Sequence, residues 1–90
     1  MAKQNPTREK QRISARQAAS AAAKYYREVV NPHADKPTLE EIEFDEASNR
    51  WMVTLGVYGE DVPFSTQRSY KRFDIDAQTG EVLAMRIRPV

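Results

Sequence analysis

The sequence predicts an α+β domain in two layers, with one N-terminal helix packed on a four-stranded antiparallel meander. Three observations carry this. Residues 13–30 place apolar side chains at helical period, and the later stretches alternate with the two-residue period of a strand. The last two alternating runs, Tyr70–Asp76 and Val82–Arg88, are separated by a short polar segment ending in glycine, the signature of a hairpin. Ninety residues are enough for one such domain with a thin core.

Residues 1–12 form a basic, polar tail. Lys3, Arg8, Lys10 and Arg12 against Glu9 give it a net +3. The tail is expected to be flexible, with residues 13–90 making the single α-β-β-β-β domain. Ser14 opens the helix, and Ser14-Ala15-Arg16-Gln17 fits a capping box. Ile13, one residue before the cap, is placed to staple onto Ala18. Ala15, Ala18, Ala19, Ala22, Tyr25, Tyr26, Val29 and Val30 fall on one face, with Arg16, Gln17, Ser20, Lys24, Arg27 and Glu28 opposite. Alanines let the first half lie close to a sheet, and the tyrosines fill the wider end. Asn31-Pro32 ends the helix, because proline disfavours helical geometry in the residue before it.

Leu39–Asp45 reads as the first strand, with Ile42 and Phe44 inward and Glu41, Glu43 and Asp45 outward. The alternation puts Glu40 on the inward side, as at a frayed end or edge. Arg50–Tyr58 is the second strand. Its Trp51, Val53, Leu55 and Val57 row is the more apolar and is assigned to the helix-covered core. In the closing hairpin Lys71, Phe73 and Ile75 share one side, and Leu83, Met85 and Ile87 form the matching row. Asp76 can accept a turn N–H, and Gly80 takes a positive φ at little cost. Gly59–Arg68 is the longest loop, and a loop of this length is a mild functional hint. The apolar Val62-Pro63-Phe64 at its tip either folds back on the sheet edge or is presented to a partner.

The sheet face away from the helix would carry Glu41 and Glu43, then Met52, Thr54, Gly56 and Tyr58, then Tyr70, Arg72 and Asp74, then Ala84, Arg86 and Arg88. It runs from acidic through apolar and aromatic to basic. An antiparallel sheet can leave one face wet, yet tyrosine, methionine and arginine together are also the composition of interface centres. We therefore expect a non-catalytic protein-binding, inhibitory or regulatory module. Its partner-binding residues are Met52, Tyr58, Phe64, Tyr70, Arg72, Arg86 and Arg88. The alternative is a nucleic-acid-binding domain using the basic tail and the last strand, since arginines with interleaved aromatics can contact phosphates and stack bases. The net charge of +1 and the carboxylates on the same face oppose that alternative.

No enzyme, cofactor or metal is expected. The chain has no cysteine, its one histidine lies in the loop after the helix, and no glycine-rich phosphate loop occurs. The polar N-terminus has no apolar signal region and no run approaches a membrane span. A cytoplasmic protein is therefore expected, although a chain trimmed of its leader would look the same. The two edge strands allow a homodimer by edge pairing.

The helix opening Ile13-Ser14-Ala15-Arg16-Gln17-Ala18-Ala19 and the closing run Tyr70-Lys71-Arg72-Phe73-Asp74-Ile75-Asp76-Ala77-Gln78-Thr79-Gly80-Glu81-Val82 together resemble the PepSY domain. That family shows a helix beginning near Ile-Ser-x-x-x-Ala and a hairpin with an aspartate, a Thr-Gly turn and Glu-Val. The resemblance spans Ile13 to Ile87. It implies a small cystatin/PepSY-like module without catalysis, of a kind found in protease propeptides and associated with inhibition of peptidases. The chain departs from the pattern in its long 59–68 loop and in lacking an export signal.

Overall fold

The computed structural model describes residues 12–33, 35–58 and 68–88. A helix, α1 (Ala15–Tyr25), continues into a π-helical turn (Tyr26–Val30). Four strands follow: β1 (Thr38–Asp45), β2 (Arg50–Tyr58), β3 (Arg68–Asp76) and β4 (Val82–Arg88). They form one antiparallel sheet in the order β1-β2-β3-β4, the expected meander. The tail residues 1–11 and the loop 59–67, with Phe64, lie outside the described residues.

The capping box forms as the sequence predicts. The Gln17 backbone N–H donates to Ser14 Oγ at 3.0 Å, and the Ser14 N–H donates to Gln17 Oε1 at 2.8 Å. The alanine face packs as expected: Ala18 and Ala22 are fully buried against Val53, Leu55, Val57, Phe73 and Ile75. Small side chains bring the helix backbone down to the sheet. Tyr26 then fills the wider end, and Tyr25 meets Phe73 edge-on at 6.2 Å. Trp51, Phe73 and Met85 all lie on the helix side, as expected.

Ile13 is anchored more firmly than a local staple would be. Its N–H donates to the Ala77 carbonyl at 2.7 Å, and its own carbonyl accepts from Trp51 Nε1 at 3.0 Å. Ala77 is buried in the β3–β4 turn and donates to the Asn49 carbonyl of the β1–β2 turn at 3.1 Å. The start of the helix is thus tied to both turns. Phe44 packs edge-on to Trp51 nearby, and the Arg12 guanidinium lies 3.9 Å above its ring. The β3–β4 turn has the expected chemistry. Asp76 Oδ1 accepts from the Gln78 N–H at 2.8 Å, and Gly80 takes φ 81°.

Three expectations on phase and one on a strand boundary are corrected. Glu40 does not face inward: a bulge between Leu39 and Glu41 makes it an extra residue, pairing Leu39 with Leu55 and Glu41 with Thr54. Its carboxylate instead lies over Gly56. Leu83 does not join the core row, because a second bulge pairs Ile75 with Val82. Val82 packs on the core and Leu83 is exposed, and Ile87, also outside the core cluster, is 72% exposed. Val29 is exposed because the π-helical turn, closed by the Asn31 N–H on the Tyr26 carbonyl at 2.8 Å, carries more residues per revolution. Arg68 belongs to β3, paired with Tyr58, and not to the loop.

Candidate functional site: the open sheet face

The three strand registers put Glu41, Thr54, Arg72 and Arg86 in one transverse row of the face away from the helix, and Glu43, Met52, Asp74 and Ala84 in the next. Arg72 and Arg86 stand directly opposite each other across β3 and β4, which alone would be repulsive. Asp74, two residues along β3 from Arg72, resolves this. Its Oδ2 accepts from Arg86 Nη1 at 2.8 Å and its Oδ1 from Arg72 Nε at 3.1 Å. Arg50 Nη1 adds a longer approach of 3.9 Å to Oδ2. The Asp74 side chain is only 3% exposed, while those of Arg72 and Arg86 are 27% and 56% exposed.

Burial by itself raises the Asp74 pKa. The hydrogen bonds and charges of Arg86 and Arg72 outweigh it, and the carboxyl titrates below its ordinary value. The carboxylate therefore remains ionised at neutral pH and holds the guanidinium groups in fixed directions. Arg72 Nη2 also donates to Met52 Sδ at 3.6 Å, bringing Met52 into the same group.

A second cluster stands at the end of β2 and β3. Arg68 donates from Nε to Tyr58 Oη at 2.9 Å, from Nη2 to the same oxygen, and from Nη1 to Tyr70 Oη at 3.3 Å. Its guanidinium carbon is 5.0 Å from the Tyr58 ring centroid and 5.9 Å from that of Tyr70. The displaced Glu40 completes it: Glu40 Oε2 is 3.5 Å from Arg68 Nη1 and accepts from Thr38 Oγ1 at 2.6 Å. Gly56 leaves room for this carboxylate, because a Cβ there would stand 2.6 Å from Glu40 Oε2. A shallow depression of about 330 Å³ follows, lined by Glu40, Glu41, Thr54, Tyr70 and Arg88.

The structure thus gathers Met52, Arg72 and Arg86 around Asp74, and Tyr58 and Tyr70 around Arg68, while Arg88 lines the depression. Sequence reasoning placed Asp74 on this face but did not single it out as the hub, and it missed Arg50, Arg68 and Glu40 as site residues. The same-side pair Arg72 and Asp74 was a legible signal. The part played by Glu40 depends on a bulge and was not.

The other side of the molecule has a groove of about 670 Å³ between α1 and the start of β1, lined by Ala19, Ala23, Arg27, Pro37, Leu39 and Leu55 among others. Among the described residues no group of three or more His, Cys, Asp or Glu side chains could hold a metal ion. No helix among them is long and apolar enough to cross a membrane. In comparisons with known proteins, no family model, no curated protein and no solved structure matches this chain.

Proposed function

We propose that this domain is a non-catalytic binding module, PepSY-like in kind, that docks another protein through the open sheet face with an inhibitory or regulatory outcome. The observation that supports it most is the arginine cluster on Asp74. A buried carboxylate there orients guanidinium groups that still expose donor edges, beside methionine and two tyrosines. Arginine and aromatic side chains held in place lose little freedom on binding, which is what a recognition surface needs. The segment 59–67, with Phe64, is proposed as a second contact with the same partner.

Arg72 and Arg86 are poor probes, because replacing them strips a buried charge of its partners. Tyr58 and Arg88 are better. Photo-crosslinking side chains at these two positions should capture one defined partner, and the same side chain at the exposed Val29 on the helix should not. Equal capture from Val29, or none from Tyr58 and Arg88, would refute docking on this face.

A further inference from the structure

The sheet has two edge strands, β1 and β4, of opposite character. Along β1, Glu41 and Glu43 lie on the open face, while Ile42 and Phe44 lie on the helix face. Along β4, Arg86 and Arg88 lie on the open face, while Met85 and Ile87 lie on the helix face. Each edge is apolar on the same side and charged on the same side, with the charges reversed. Ile87 is 72% exposed and Leu39, at the start of β1, 51% exposed, so both apolar rows reach solvent at the edges. Among the described residues, each terminal strand also offers backbone groups that no other strand pairs.

We propose that β4 of one copy pairs with β1 of a second copy, extending the sheet head to tail. In the meander β1 and β4 run antiparallel, so a second copy set beside the first in the same orientation brings its β1 antiparallel to β4. One register then satisfies every cross-strand pair at once: Arg88 with Glu41, Ile87 with Ile42, Arg86 with Glu43 and Met85 with Phe44. Pairing like edges fails on the same chemistry, since β1 on β1 opposes glutamates and β4 on β4 opposes arginines. The interface is therefore heterologous and propagates unless it closes into a ring. It shares Arg86 and Arg88 with the docking reading for the open face but does not rest on it, and Tyr58, away from both edges, separates the two.

The test is sedimentation velocity on the full chain from about 10 μM to about 1 mM, at low and high salt, a range suited to a weak contact of this kind. Wild type should grow in average mass with concentration, past dimer, and salt should reverse it. Glu41→Lys and Arg88→Glu should each weaken association about fivefold or more, each turning an attractive cross-strand pair into a repulsive one. Mixing the two variants should restore it, because the lysine introduced on β1 of one then meets the glutamate introduced on β4 of the other, and the opposite edges of the same two copies keep the native pair. Ile87→Asp should weaken it about tenfold or more by removing the apolar contact. All three positions are exposed, and unchanged circular dichroism confirms that each variant folds. A wild type that stays monomeric at low salt, a mixture that restores nothing, or a mass that stops at dimer whatever the substitution would overturn the proposal. Any of these would leave crosslinking from Tyr58 unaffected.

Discussion

Replacing Asp74 by Asn tests whether one carboxylate organises the open face. The substitution keeps the shape of the side chain but removes its charge, and its amide N–H groups must oppose a guanidinium donor. Two charge-assisted hydrogen bonds are affected, at 2.8 Å and 3.1 Å, on a side chain only 3% exposed. Each would be worth about 1.5–3 kcal/mol where fully dry. Arg86 and Arg72 are partly exposed and can turn to water, so the sum must be discounted. We expect a loss of about 2–3 kcal/mol, a large part of the roughly 5–13 kcal/mol that a domain of this size holds. With a urea m-value of about 1 kcal/mol/M, the midpoint should fall by about 2–3 M. The loss should also depend on pH in one direction. The Asp74 pKa is lowered in the folded state, so its contribution is complete above the ordinary aspartate value of 3.8 and disappears as pH falls through the lower folded value. The gap between wild type and Asp74→Asn should therefore be constant at neutral pH and close below about pH 3.8. A gap below about 0.5 kcal/mol at pH 7, or one that persists unchanged at pH 2, would refute the central role of this carboxylate.

Gly56→Ala should cost about 1 kcal/mol by pushing Glu40 off Thr38 and Arg68, and Glu40→Ala in the same chain should recover most of it, a non-additivity read from urea midpoints. Trp51→Phe removes the indole N–H from the Ile13 carbonyl, leaving that carbonyl short of a donor, and should cost about 1 kcal/mol with faster hydrogen exchange in the first turn of α1. Gly80→Ala, at φ 81°, should cost about 1 kcal/mol while leaving the spectrum of the sheet unaltered. A gel shift at low salt with single-stranded oligonucleotides should show no retardation if the face reads protein; a shift that weakens steeply with salt would favour the nucleic-acid alternative.

Much of the architecture was legible because each element obeys one local rule. Ser14 and Gln17 mark the helix start by reciprocal hydrogen bonds, Gly80 marks the turn by its backbone freedom, and the Trp51 to Val57 alternation marks the buried face. Apart from Arg68, a strand boundary, the misplacements occur where a regular period is interrupted. At Glu40 and Leu83 a bulge advances the strand by one residue, which moves a side chain to another environment without any glycine or proline to announce it. At Val29 a wider helical turn shifts the phase. Partnership across strands is likewise hard to read from one chain. Arg72 and Asp74 are visibly neighbours, but Arg86 joins them only through the β3–β4 register, which the second bulge helps to set.

The helix is rooted at its beginning by two hydrogen bonds and held further along by the packing of Ala18, Ala22 and Tyr26. Ile13 grips Ala77 and Trp51 at the root, while the opposite end finishes in the wide turn at Tyr26–Val30 with Val29 in water. A rod rooted this way keeps its first turn in register with both hairpin turns, because Ile13 bonds to Ala77 and Ala77 bonds to Asn49. It also gives the β3–β4 corner a remote duty: loosening that corner frees the root of the rod, although the two are far apart along the chain.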